Sequence, residues 1–283
     1  MKLSETKFFF LSSTIFVSIC VVALCQSSAI ILDVDVSSIL PFVFSATFFS
    51  YNFLRLIRYS NKKNEIPRLF HQKAIAWMLL LSFCLTVYFS MELSKQSLLL
   101  LLPAILITLL YPYKWSLKNR FISLREIPTL KIFLIAFVWS LVSVGLVAAE
   151  HDILFTGEVM GLFLTRFFFV LAITIPFDIR DLKLDNPAMK TIPQRYGVPQ
   201  AKLISFTSLA VFEVFVFAQF IVFDLHYSLL VALLLTSLCS AILIYKTNDS
   251  RTDFYYSFWM EGMSILMYLL LFFIPMAFGI FVR

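Results

Sequence analysis

The chain has 283 residues, of which 60% are hydrophobic and 14% charged, with a mean hydropathy of +0.90 and a net charge of +6. A soluble domain of this length does not need so much apolar surface, whereas a multispanning membrane protein does. The six glycines match neither a dinucleotide fingerprint nor a phosphate-binding loop, and the four cysteines have no metal-binding or disulfide spacing.

Nine apolar segments are long enough to cross a bilayer, and the backbone of each must satisfy its own hydrogen bonds as a helix. The first segment is longer than the apolar part of a signal peptide, so we expect a retained span. We therefore predict that residues 1–283 form one all-α integral membrane domain. The predicted helices, with loop elsewhere, are 8–32, 37–57, 73–92, 96–112, 128–149, 155–177, 201–223, 226–246 and 256–281.

The connections between these segments alternate in charge. Most of the 23 basic residues lie on the side of the N-terminus, and only Lys95 and Arg283 lie on the other side. The positive-inside rule then predicts a multi-pass protein of the cytoplasmic membrane, with a cytoplasmic N-terminus and an external C-terminus. The net charge is a signal of topology in the lipid bilayer, and we expect no nucleic-acid partner.

Charge is most concentrated after the sixth segment, at Asp178, Asp181 and Asp185. A spacing of 0, 3 and 7 places three carboxylates on one helix face, where they repel one another unless a cation lies among them. Mg²⁺ suits this position, because it takes one or two carboxylates and leaves other positions to phosphates. Arg180 and Lys190 can neutralise phosphate oxygens. The alternative from these residues alone is a solvated helix end of mixed charge.

The string from Pro176 to Gly197, Pro-Phe-Asp-Ile-Arg-Asp-(x3)-Asp-(x4)-Lys-Thr-x-Pro-(x3)-Gly, resembles the second aspartate-rich motif of the UbiA superfamily of intramembrane prenyltransferases. The helix count and orientation also resemble that family. The resemblance implies nine transmembrane helices around a central cavity and a Mg²⁺-bound isoprenyl diphosphate. It further implies transfer of the isoprenyl group to an aromatic or other lipophilic acceptor.

The same resemblance implies roles for individual residues. Asp178, Asp181 and Asp185 correspond to metal ligands, and we assign catalytic roles to Asp181 and Asp185. Lys190 corresponds to the basic residue that follows the motif, and Arg180 is a second candidate for binding the diphosphate.

The family's first motif, Asn-Asp-x-x-Asp-x-x-x-Asp, belongs at the end of the second helix and is missing here. In the two possible registers its acidic positions hold Phe53, Leu56 and Ser60, or Asn52, Arg55 and Tyr59. The nearest acid is Glu65, so a site built from two acidic motifs is in conflict with this sequence.

Two interpretations follow from the missing motif. In the first, one metal on the aspartate motif suffices, and Asn52, Arg55 and Arg58 bind the diphosphate directly, because a guanidinium donates hydrogen bonds to phosphate oxygens without a metal. In the second, the chain is a non-catalytic protein of the UbiA fold that binds a lipid or quinone. A transporter is disfavoured because no paired broken helices appear at mid-membrane depth.

Three ionisable residues lie inside the predicted spans. Arg166 and Glu213 each lie about 18 Å from the cytoplasmic edge at 1.5 Å per residue, so we predict that they form a structural ion pair. Glu261 is expected to face the polar mouth near the aspartates. Lys131 is predicted to be an interface anchor rather than a ligand.

Overall fold

The structure is a computed structural model. It describes residues 3–60, 68–117, 120–124, 127, 129–183, 185 and 189–279. Side chains are described within 14–57, 76–113, 124, 127, 129–183, 185 and 189–279. The side chain of Arg58 and the whole of Glu65 therefore lie outside the described residues.

Within these ranges the chain forms nine helical segments, as the sequence predicted. They are α1 Leu3–Leu32, α2 Leu40–Ser60, α3 Arg68–Ser90, α4 Lys95–Leu110, α5 Leu130–Glu150, α6 Gly157–Arg180, α7 Ile192–Val222, α8 Tyr227–Lys246 and α9 Tyr255–Ala277. Seven are long and apolar enough to cross a membrane, while α4 and the described part of α3 are shorter apolar helices. The central cavity stays a prediction.

Two stretches predicted as loop have regular structure. An antiparallel hairpin of β1 Lys114–Leu117 and β2 Arg120–Ser123 lies between α4 and α5. Helix α7 begins at Ile192, nine residues before the predicted start, because Pro193 and Gln194 support a first helical turn. That turn is separated from the rest of α7 at Gly197, whose φ of +85° favours glycine.

Most helices that are adjacent in the sequence pack against each other, and α9 packs back onto α1. Helix α1 also contacts a π-helical turn inside α5, Leu141–Gly145, and α9 opens with a second π-helical turn, Tyr255–Met260. Such turns shift side chains relative to a regular helix and are frequent at functional sites.

The bundle has two distinct ends. At one end, the start of α5 meets the end of α6 through Lys131 and Asp178, and the start of α7 meets the end of α8 where Lys202 donates to the carbonyl of Tyr245. We call this the motif end because it carries the acidic motif. At the opposite end, the N–H of Ser94 donates to Glu150, which joins α4 to α5.

Candidate functional site

The motif end brings two carboxylates of the acidic motif onto one lysine. The Nζ atom of Lys131 lies 2.5 Å from Oδ1 of Asp178 and 3.6 Å from Oδ2 of Asp185. The Asp178 and Asp185 side chains are only 2% and 6% exposed. Oδ1 of Asp178 has no hydrogen-bond donor in the described part of the chain apart from this ion pair. One ammonium group therefore contacts two buried carboxylates.

The chain folds back after α6 to place Asp185 beside Asp178. Helix α6 ends at Arg180, a single 3-10 turn spans Asp181–Lys183, and the N–H of Asp185 donates to the carbonyl of Asp181 at 2.8 Å. The side chain of Gln194 then donates to the carbonyl of Asp185 at 3.1 Å. Asp185 is thus fixed by its main chain on both sides.

Asp181 faces a different partner. Both of its carboxylate oxygens accept hydrogen bonds from the Arg180 guanidinium, at 2.8 and 3.0 Å. The same guanidinium packs over the rings of Phe177 and Tyr256, 5.1 and 5.8 Å from the ring centres. The predicted metal ligand Asp181 and the predicted diphosphate ligand Arg180 are therefore paired with each other in this structure.

The remaining predicted ligands lie at the motif end but do not all converge. Asn52 is buried on α2, with its amide nitrogen donating to the carbonyl of Phe48 at 2.8 Å, and Arg55 is partly buried one turn further on. Lys190 is exposed, has a φ of +44°, and makes no ion pair with the aspartates in the described part of the chain.

Glu261 lies where the sequence placed it, near the polar mouth. It follows the π-helical turn of α9, and both Arg180 and Arg55 are within electrostatic reach of its carboxylate. One carboxylate oxygen, Oε2, is buried and has no hydrogen-bond partner in the described chain. This residue places a carboxylate from α9 beside the end of α2, where the family's first motif would be.

A surface ion pair ties the loop after α6 to the loop before α9. Lys183 Nζ lies 2.9 Å from Oδ2 of Asp249, and the hydrogen bond and positive charge of Lys183 lower the pKa of Asp249. Because this pair is exposed and separate from Asp178 and Asp185, Asp249 is a suitable control carboxylate at the same end.

The two carboxylates that contact Lys131 can hold one Mg²⁺ ion, but they do not make a site with three protein ligands. The described residues contain no group of three His, Cys, Asp or Glu side chains arranged to hold a metal. They do contain the two convergent, buried carboxylates of Asp178 and Asp185. Mg²⁺ is usually held by one or two carboxylates together with substrate phosphates and water, so this pair suffices chemically.

The predicted ion pair between Arg166 and Glu213 is wrong. Arg166 is buried and donates to the sulfur of Met267 at 2.7 Å and to the hydroxyl of Ser28 at 3.0 Å. Glu213 instead accepts a hydrogen bond from Ser237 at 2.6 Å. The two residues share a depth in consecutive helices, but they lie on faces directed at different neighbours.

Sequence reasoning missed two residues of this site. Lys131 was assigned to the interface, although its position in the first turn of an apolar helix at the basic side is the signal that could have found it. Gln194 lies three residues after Thr191 and accepts its N–H at 3.0 Å. This Thr-x-x-Gln spacing is a capping signature that also predicts the early start of α7.

No protein-family model and no curated protein matches this chain. Among solved structures, a UbiA homolog from Archaeoglobus fulgidus bound to GPP and Mg²⁺ is 13% identical, with a TM-score of 0.65 over 94% of this chain and 97% of that one. An apo UbiA homolog from Aeropyrum pernix K1 is 12% identical, with a TM-score of 0.64 over 93% and 98%.

A structure of digeranylgeranylglyceryl phosphate synthase is 13% identical, with a TM-score of 0.56 over 92% of each chain. These likenesses extend along nearly the whole chain, and at this identity they show the fold. The chain therefore has the fold of the UbiA prenyltransferase homologues and is an integral membrane protein. This confirms the fold that the motif from Pro176 to Gly197 predicted.

Proposed function

We propose that this protein is a membrane prenyltransferase that moves an isoprenyl group from a Mg²⁺-bound isoprenyl diphosphate to an aromatic or other lipophilic acceptor. The observation that carries the proposal is the convergence of Asp178 and Asp185, both buried, on one cation at the end of α6. The fold supports it, because one solved homologue of the same fold is bound to GPP and Mg²⁺.

In this proposal Asp178 and Asp185 hold the metal, and Asp181 is the third motif carboxylate. The metal supplies positive charge that stabilises the leaving diphosphate. Asp178 is anchored in the last turn of α6, and Asp185 is held through its main chain by Asp181 and Gln194. Preorganised ligands of this kind lose little freedom when a metal is bound.

The cationic side chains of the motif end bind the diphosphate. Arg55 and Arg58 on α2 supply positive charge where the family's first acidic motif is missing, and Asn52 lies one turn before Arg55. Arg180 and Lys190 come from the loop that carries the aspartates. Guanidinium groups suit this task because their donors match phosphate oxygens in pairs.

The reaction breaks the bond between the allylic carbon and the diphosphate oxygen, and the electron pair leaves with the diphosphate. A nucleophilic carbon or oxygen of the acceptor forms the new bond to the allylic carbon and loses a proton. The chain's basic end would face the cytoplasm under the positive-inside rule, so soluble diphosphate would leave on that side.

A second candidate function has an observation in its favour. Lys131 already forms ion pairs with both carboxylates of the aspartate pair, and α2 supplies no carboxylate in either register of the first motif. Both features agree with a non-catalytic protein of this fold that binds a lipid or quinone. Such a protein would bind no isoprenyl diphosphate.

The test is binding of geranyl thiolodiphosphate, a slowly reacting analogue, to detergent-purified protein with and without Mg²⁺. Wild type is compared with Asp178→Asn, Asp185→Asn and the control Asp249→Asn. The prenyltransferase proposal is supported if binding requires Mg²⁺, is lost in the first two variants and persists in the third.

Two other results have different meanings. Tight binding that ignores Mg²⁺ and both motif variants would assign the anion site to Arg55 and Arg58 without a metal. Absence of binding under all conditions, in protein that remains folded, would overturn the proposal and leave the lipid- or quinone-binding alternative.

A further inference from the structure

A cation of the protein itself, Lys131, lies against the two carboxylates that are proposed to hold the metal. Its ammonium contacts both Asp178 and Asp185, and only 13% of its side chain is exposed. The ammonium thus occupies the position where a metal shared by these two carboxylates would lie.

The chain holds this lysine on a firmly packed helix start. Ile132 and Ala136, on the same helix, are completely buried. The Cα of Lys131 is therefore anchored, and only its four-carbon side chain is free to swing.

Electrostatics allows one cation at a time between these carboxylates. A Mg²⁺ ion and an ammonium group that share the same two oxygens would repel each other at close range in a poorly solvated site. Metal entry therefore requires that the ammonium leave. A displaced Lys131 remains tethered nearby, within reach of the phosphate oxygens that arrive with the metal.

We propose that Lys131 is a resident counter-ion that offsets part of the negative charge of Asp178 and Asp185 while no metal is bound and is displaced from both carboxylates when Mg²⁺ enters. This inference rests on the proposed function, since it takes these carboxylates as the metal ligands. It makes Lys131 a positioning residue that sets the metal concentration at which the site fills. Metal on its own binds weakly, and metal with diphosphate binds better because the freed ammonium gains an anionic partner.

The experiment measures Mn²⁺ binding to the purified full chain by electron paramagnetic resonance, in the absence of any isoprenyl diphosphate. Lys131→Met keeps most of the length of the side chain and removes the charge. We expect this variant to bind Mn²⁺ at a concentration about 10-fold or more below wild type, because the competing cation is gone. The double variant Lys131→Met/Asp178→Asn should lose this increase in Mn²⁺ affinity.

Two controls define the result. Lys246→Met removes an exposed lysine at the same end, and Lys131→Arg keeps a cation beside the carboxylates; neither should bind Mn²⁺ more tightly than wild type. If folded Lys131→Met binds Mn²⁺ no better than wild type, Lys131 does not compete with metal and the inference is overturned.

A measurement on wild type keeps the inference testable if Lys131→Met does not fold. Acylation by an amine-reactive reagent is followed by mass spectrometry at Lys131, with Lys246 as the internal reference. Mn²⁺ should raise the rate at Lys131 relative to Lys246, and an unchanged ratio at saturating Mn²⁺ would overturn the inference. Because neither measurement contains isoprenyl diphosphate, failure here is distinct from failure of the prenyltransferase proposal.

Discussion

The amide of Gln194 donates to the main-chain carbonyl of Asp185 at 3.1 Å, so the first turn of α7 holds the last carboxylate of the acidic motif. The carbonyl oxygen of the same side chain accepts the N–H of Thr191 at 3.0 Å. One side chain therefore couples the start of a helix to the position of a proposed metal ligand.

Gln194→Leu keeps a similar volume but removes both hydrogen bonds. We expect Mg²⁺-dependent binding of geranyl thiolodiphosphate to weaken about 10-fold, and the free energy of unfolding to fall by about 1–3 kcal/mol, because buried main-chain groups lose their partners. Calorimetric titration and thermal unfolding in detergent measure the two effects. Gln200→Leu is the control, since that glutamine is exposed on the same helix.

Gln194→Glu separates the two contacts. The carboxylate still accepts the N–H of Thr191 but has no donor for the carbonyl of Asp185, so binding should weaken while α7 keeps its start. Binding at the wild-type level in both Gln194 variants would show that Asp185 does not depend on this contact.

The pairing of Asp181 with Arg180 predicts that substituting Asp181 weakens Mg²⁺-dependent binding less than substituting either of the other two aspartates. Asp178→Asn and Asp185→Asn each remove one of the two convergent carboxylates and should abolish Mg²⁺-dependent binding. Asp181→Asn should weaken it less, by about 10-fold or below, because its carboxylate is held by a guanidinium at 2.8 and 3.0 Å. Metal titrations of the three variants measure this order. Equal and complete loss in all three would instead make Asp181 a direct ligand.

Hydropathy was sufficient to predict the nine helices, because the bilayer allows few alternatives for an apolar segment of about 20 residues. It failed for the first turn of α7, which is polar and depends on the capping contact between Thr191 and Gln194. It also failed for the hairpin between β1 and β2, since a hydropathy window does not detect a short hairpin outside the spans.

The site was only partly predictable for a different reason. The spacing of Asp178, Asp181 and Asp185 predicts one helix face, but α6 ends at Arg180, so the last aspartate reaches the site through a folded turn. The spacing also carries no information about Lys131, which is 47 residues before Asp178 and meets it only through the packing of α5 on α6. Partners across a bundle follow from helix rotation, which hydropathy does not fix.

Arg55 is expected to contribute most to diphosphate binding when metal is absent. It lies on α2 where the family's acidic motif is missing, with the carboxylate of Glu261 within electrostatic reach. Arg55→Met should weaken metal-free binding of geranyl thiolodiphosphate by about 10-fold, because a guanidinium contact to phosphate is lost. Glu261→Gln should strengthen it, since the competing carboxylate is neutralised.

Titrations of the analogue in the presence of a chelator measure both effects. Arg251→Met is the control, because Arg251 is an exposed arginine at the same end of the bundle. Equal loss in Arg55→Met and Arg251→Met would indicate a general effect of surface charge rather than a diphosphate contact.

Arg166 is buried at mid-membrane depth, and its guanidinium contacts a thioether and a hydroxyl rather than an acid in the described chain. A buried charge without an anionic partner is costly, whereas the hydroxyl of Ser28 also donates to the carbonyl of Leu24 at 3.1 Å and so remains satisfied without the arginine. We therefore expect Arg166→Met to leave the free energy of unfolding unchanged or to raise it by up to about 3 kcal/mol.

Arg166→Ala is the matched comparison, because it removes the charge but also leaves a cavity, which costs about 2–5 kcal/mol for a large buried side chain. Thermal and denaturant unfolding of the two variants in detergent separate the two contributions. If Arg166→Met is as unstable as Arg166→Ala, the guanidinium itself stabilises the fold, and an anionic or strongly accepting partner must lie beside it in the membrane. A stable Arg166→Met would instead show that packing volume, rather than charge, is what the bundle requires between α1, α6 and α9.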